Sequence, residues 1–119
     1  MATILLVEDH DDLRDSIRLR LEADEHRVVE AADGSEAIQC WRLHAPDLII
    51  TDFQMPHLDG LEVIQTVSAQ QPAFPIILMS GGIEEQLCVW ILKCYSSVRY
   101  LPKDVLASQL RQYVSESMT

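Results

Sequence analysis

Residues 47–60 read DLIITDFQMPHLDG, and this stretch decides the fold. Its first five residues, DLIIT (47–51), are mostly apolar and β-branched, and too few for a helix. A strand covered by helices on both faces of a parallel sheet needs such a run, because neither face meets water. The run stops on Asp52. Asp59-Gly60 then signals a turn, and Leu61, Ile64 and Val67 follow at helical spacing. The stretch predicts a strand, a polar loop and the start of a helix.

The same unit recurs on either side. TILLV (3–7), RVVEA (27–31), PIILM (75–79) and VRYLP (98–102) are the other expected strands. A first helix is expected from about Asp12 to Asp24, with Leu13, Ile17 and Leu21 on one stripe. The second follows Asp33-Gly34-Ser35 and is expected to turn Ala37, Ile38, Trp41 and Leu43 inward. The fourth covers about Ile83 to Lys93, and the fifth about Val105 to Ser115, with Leu106, Leu110 and Val114 in phase. Five βα units in a row predict an α/β, doubly wound parallel sheet. At 119 residues there is material for one core and little room for a second.

Composition narrows the function. Nineteen acids against nine bases give a net charge of −10, which repels nucleic acid phosphate and argues against direct DNA or RNA binding. That acidity either keeps the domain soluble or serves a cation or a basic partner surface. No apolar run approaches a membrane span, and MATILLVED turns acidic at Glu8, unlike a secretory signal with a basic start. A cytoplasmic protein without a membrane partner is the expectation. The three cysteines, Cys40, Cys88 and Cys94, match no zinc spacing, and Cys40 and Cys88 read as small core residues.

The chemistry collects at strand ends. The first strand runs into Glu8-Asp9, the third into Asp52, the fourth into Ser80 and the fifth into Lys103. In an open parallel sheet the carboxyl ends of the strands line one edge, and ligands bind there. Three carboxylates at close quarters are costly unless a cation shares them, and oxygen ligands of this kind suit Mg²⁺. Lys103 adds a point charge suited to a phosphate, and Ser80 adds a hydroxyl. Singly these are commonplace residues; their joint placement at successive strand ends carries the argument.

LLVED (5–9), TDFQMPHLDG (51–60), ILMSGG (77–82) and YLPKD (100–104) together resemble the receiver domain of bacterial response regulators, over nearly the whole of residues 1–119. The resemblance implies a flavodoxin-like three-layer sandwich with strand order 2-1-3-4-5 and five helices. It implies that Asp52 accepts a phosphoryl group from a histidine kinase or a phosphotransfer protein. Asp9, Asp52 and the backbone carbonyl of Gln54 would bind Mg²⁺, with Glu8 acting through water. Lys103 and Ser80 would hold the phosphoryl oxygens. Ser80 and Tyr100 would relay the event to the face formed by the fourth helix, fifth strand and fifth helix, which would meet an output partner or a second copy. Gln54 and Gly82 would tune the lifetime of the aspartyl phosphate. Such a domain is a signalling module that assists its own phosphorylation and dephosphorylation, and not an enzyme with a separate substrate.

Three departures from the family pattern carry expectations of their own. Asp104 stands where the family usually has a proline preceded by a cis bond. A cis peptide before a non-proline costs roughly 2.5–4 kcal/mol, so a trans Lys103–Asp104 bond is expected, with Asp104 competing for the lysine. Pro102 lacks an N–H and is tolerable if its strand lies at the sheet edge. In the fourth helix Leu87, Val89, Trp90, Ile91 and Leu92 are apolar nearly all round. They are either core with a stray tryptophan or an exposed patch, and the helix's place on the output face favours the patch. Third, Tyr95-Ser96-Ser97 replaces the family's small-residue turn ahead of the fifth strand.

His10 and His57 read as solvated loop residues. A flavin carrier of this fold class would need a phosphate-binding first loop, and EDHDD repels phosphate. A phosphatase working through an aspartyl phosphate would need a second aspartate where Gln54 stands. A binding module independent of phosphorylation is the remaining alternative.

Overall fold

The computed structural model describes residues 1–53, 60–81 and 85–118. Five strands alternate with five helices: β1 (Thr3–Val7), α1 (Asp11–Ala23), β2 (Arg27–Ala31), α2 (Gly34–His44), β3 (Leu48–Asp52), α3 (Gly60–Gln70), β4 (Ile76–Ser80), α4 (Glu85–Cys94), β5 (Val98–Pro102) and α5 (Leu106–Ser117). A 3-10 turn over Lys103–Val105 joins β5 to α5. All strands are parallel, in the order β2-β1-β3-β4-β5. The doubly wound fold and its strand order are as expected.

Alternation along each strand divides the core into two layers. Leu5, Val7, Ile49, Ile76 and Leu78 pack with Ala37, Trp41, Val63, Ile64, Val67 and Ile91 from α2, α3 and α4. Ile4, Leu6, Leu48, Ile50, Ile77 and Met79 pack on the other face with Ile17, Leu21, Leu106, Leu110 and Val114 from α1 and α5. The three central strands are buried throughout or nearly so, which is why they read as unbroken apolar runs. Strand β2 lies at an edge, and its Val28 and Val29 are only half-buried. At the opposite edge lies β5, so Pro102 withholds its missing donor from no outer neighbour.

Two local expectations are corrected. Leu43 points outward, 78% exposed, while Trp41 is buried. Two residues past Trp41 is about 200° around the helix, so the stripe of Ala37, Ile38 and Trp41 cannot include it. Helix α1 begins at Asp11, one residue earlier than expected, because His10 caps it: its Nδ1 accepts the Leu13 N–H at 3.2 Å. The expected start of the fourth helix at Ile83 lies outside the described residues, as do Gln54, His57 and Gly82.

Helix α2 ends on Ala45 in the left-handed region, φ 45° and ψ 59°. A Cβ is disfavoured there and glycine is the usual occupant. Ala45→Gly is expected to stabilise the fold by about 0.5–1 kcal/mol in urea denaturation. A loss of stability would mean that the turn into Pro46 needs the alanine methyl.

Candidate functional site

Each candidate side chain owes its position to a strand end. Glu8 follows β1 directly, and its N–H extends the ladder by donating to the Ala31 carbonyl at 3.0 Å. Asp52 is the last residue of β3, the central strand, paired in register with Met79. Ser80 ends β4, and Lys103 follows β5 immediately. The parallel sheet thus brings residues from positions 8 to 103 to one edge.

Glu8, Asp52 and Ser80 are buried, while Asp9 is exposed. One carboxylate oxygen from each of Glu8, Asp9 and Asp52 lies within 4.8 Å of the other two, a grouping able to hold a metal ion. The Lys103 ammonium reaches two of the three, 3.1 Å from Glu8 Oε1 and 3.2 Å from Asp52 Oδ2. No cis peptide occurs among the described residues, so the Lys103–Asp104 bond is trans, as expected, and the lysine still reaches Asp52. Gln54, whose carbonyl was expected to join the acids, is outside the described residues.

Charge and burial oppose each other here. Burial, then the charge of Asp52, pushes the Glu8 carboxyl above the ordinary range. Burial alone would lower Lys103, but Asp52 and Glu8 outweigh it and hold the ammonium above its usual range. Three carboxylates against one ammonium leave two negative charges, which is the charge of one divalent cation. The buried Glu8 carboxylate has the Lys103 ammonium 3.1 Å from its Oε1, and its Oε2 accepts the His10 N–H at 3.2 Å. An all-oxygen acidic cluster with two charges left uncompensated has the character of a cation site.

The balance depends on Lys103. Lys103→Met is expected to cost about 3 kcal/mol in urea without divalent cations, since two buried carboxylates lose the ammonium that pairs with both. The sign with pH follows from Glu8, whose raised affinity for a proton offers an escape from the repulsion. The loss should therefore be smaller at about pH 5 than at about pH 8. Equal stability of variant and wild type across this range would show that the ion pairs contribute nothing net.

Tyr100 is half-buried on β5, and its hydroxyl donates to the backbone carbonyl of Ser80 at 3.2 Å. Burial raises its pKa, with smaller effects from Cys88 and Asp104. The two expected switch residues are thus linked directly. On α4, Ile91 is fully buried, whereas Val89, Trp90 and Leu92 are 44%, 46% and 39% exposed. The apolar excess of this helix is an exposed patch, not added core.

Sequence reasoning missed two supporting residues. Thr51 Oγ1 donates to the Asp52 carbonyl at 2.9 Å, bracing the backbone of the strand end. Arg14 Nη1 donates to the Glu8 carbonyl at 2.7 Å. A lone threonine in a strand gives no signal. An arginine close behind two aspartates at a helix start does give one, because the helix dipole disfavours a cation there.

Comparison with known proteins identifies the family. The family model described as response regulator receiver domain matches residues 4–115. The alkaline phosphatase synthesis transcriptional regulatory protein PhoP of Bacillus subtilis (strain 168) is 35% identical over 82 residues, 69% of this chain and 34% of that protein. The transcriptional regulatory protein AfsQ1 of Streptomyces coelicolor is 38% identical over 81 residues, 68% of this chain and 36% of its own. The chain thus matches about a third of the length of these relatives. Among solved structures, a response regulator receiver domain protein from Clostridium thermocellum superposes with a TM-score of 0.86 at 26% identity, covering 99% of this chain and 94% of that one. No helix among the described residues is long and apolar enough to cross a membrane. In sequence and in fold, this chain belongs to the response regulator receiver domain family.

Proposed function

We propose that Asp52 is the phosphoacceptor of a two-component system, and that residues 1–119 form one receiver domain. The observation that carries this reading is a buried carboxylate at the end of the central strand, 3.2 Å from a lysine ammonium and within reach of two further acids. An Asp52 carboxylate oxygen attacks the phosphorus of a phosphohistidine on a kinase or phosphotransfer protein. The P–N bond breaks, the imidazole nitrogen keeps the electron pair and takes a proton, and the product is an aspartyl phosphate. Lys103 leaves its carboxylates for the incoming phosphoryl oxygens, a short move for an ammonium already 3.2 Å from Asp52.

Mg²⁺ fits the donor set, which is all oxygen and lacks two positive charges. Asp9, Asp52 and the Gln54 backbone carbonyl would hold it, with Glu8 acting through water. When bound, the ion supplies positive charge to the phosphoryl oxygens. The protein residues do the rest: Asp52 presents the nucleophile, Lys103 orients the group, and Ser80 donates its hydroxyl to a phosphoryl oxygen. A shift of Ser80 pulls on the Tyr100 hydrogen bond and turns the ring inward. The face of α4, β5 and α5, with its exposed Val89, Trp90 and Leu92, then changes its affinity for an output partner or a second copy. The net charge of −10 keeps nucleic acid off this domain, and the donor it meets is a cytoplasmic one.

Intact-mass spectrometry after incubation with acetyl phosphate tests the reading. One phosphoryl group per chain is expected with Mg²⁺, and none once the metal is chelated. A folded protein that forms no adduct under either condition would instead be a binding module independent of phosphorylation.

A further inference from the structure

Arg14 sits close behind Asp11 and Asp12 in α1, where the helix dipole disfavours a cation. Its side chain is nonetheless only 17% exposed. Its partners explain its presence. Nη1 donates to the Glu8 carbonyl at 2.7 Å, Nη2 donates to Asp11 Oδ1 at 2.8 Å, and Nε lies 3.4 Å from Glu30 Oε1 on β2. The shortest of these contacts goes to backbone, at the peptide between the two acids of the pair.

That peptide needs a restraint. The paired registers of β1 with β2 and β3 both end at Val7. The Glu8 N–H is tied to the Ala31 carbonyl, but the Glu8 carbonyl lies beyond the ladder. This carbonyl belongs to the plane that joins Glu8 to Asp9, so its orientation sets the direction in which the Asp9 side chain leaves the backbone. Asp9 is exposed, with little packing to aim it, yet its carboxylate lies within 4.8 Å of those of Glu8 and Asp52.

We propose that Arg14 is a positioning residue for the acid cluster, its guanidinium fixing the Glu8–Asp9 peptide so that Asp9 and Asp52 share one divalent cation. The inference rests on the phosphoacceptor reading. It concerns orientation rather than charge, and the two make opposite predictions. Removing a nearby positive charge tightens cation binding by Coulomb's law, whereas releasing the peptide weakens it.

Mg²⁺ titration by calorimetry on Arg14→Gln separates them. Affinity is expected to fall about tenfold, the scale seen when a residue that orients a metal ligand is removed. The rate of phosphorylation by acetyl phosphate should fall at low Mg²⁺ and return to about the wild-type value at saturating Mg²⁺, which a general loss of structure would not allow. Glu30→Gln keeps the bond to the Glu8 carbonyl and should leave the affinity within about twofold. Should Arg14→Gln fail to fold, Arg14→Lys keeps the charge, loses the fork, and is expected to shift Mg²⁺ affinity in the same direction. Affinity equal to or tighter than wild type in either folded variant, with the wild type binding Mg²⁺ and accepting phosphate, overturns the role of Arg14 alone. A wild type that binds no Mg²⁺ overturns the phosphoacceptor reading, and this one with it.

Discussion

Asp52→Asn should take up no phosphoryl group from acetyl phosphate under conditions that convert the wild type, a fall in rate of about 10³-fold or more. The substitution is nearly isosteric, so the side chain still fits its buried place at the end of β3. What it removes is the anionic oxygen. An amide oxygen is a poor nucleophile and cannot yield the same stable acyl phosphate. Stability should change little, because two effects oppose each other. The variant loses the 3.2 Å pairing with Lys103 but also relieves the repulsion between Asp52 and Glu8. Urea midpoints within about 1 kcal/mol of wild type would show that lost phosphorylation is not lost structure. If Asp52→Asn forms the adduct as readily as wild type, the acceptor is another residue, and Glu8 and Asp9 become the candidates.

The sequence made the sheet legible because burial on both faces leaves a plain mark. TILLV, DLIIT and PIILM stand out from the helical patterns around them, and their strands fill the centre of the sheet. The site was legible for a related reason. In a parallel sheet all strands end on one side, so Glu8, Asp52, Ser80 and Lys103 had to converge whatever the details of the loops. Less legible was whatever depends on the angular position of a single side chain. Leu43 is apolar and sits in a helix, but lies on the wrong side of it. His10 was read as a loop residue, yet it caps α1 through a ring nitrogen, a role more often played by Ser, Thr, Asp or Asn. Arg14 was invisible as a partner of Glu8 because its contact is with a carbonyl, which every residue carries.

Gly60 shows how a residue can be read correctly as a boundary for an incomplete reason. As part of Asp59-Gly60 it signals a turn, where glycine usually supplies a positive φ. No glycine among the described residues has a positive φ. The constraint is space. A Cβ on Gly60 would lie 2.5 Å from the Asp52 carbonyl oxygen and 2.8 Å from the Phe53 Cα, and both are backbone atoms. The Gly60 N–H also donates to the Phe53 carbonyl at 2.8 Å, so the start of α3 is drawn against the end of β3.

Gly60→Ala is therefore expected to destabilise the fold by about 3 kcal/mol, toward the upper end for overpacking, because no flexible side chain is there to yield. Either α3 moves away or the Asp52–Phe53 backbone does. In the second case the acceptor shifts relative to Lys103, and a displacement of order 1 Å lowers the phosphorylation rate by about 10²-fold. Gly81→Ala is the matched control: among the described residues its Cβ would meet only the Lys103 side chain, at 3.9 Å, and should change stability by less than about 0.5 kcal/mol. Urea denaturation of both variants, with the acetyl phosphate rate measured where each is folded, checks the pair. Equal stability of the two would mean that β3 and α3 part at little cost, and that the position of Asp52 is set by Thr51 and the β3–β4 ladder instead.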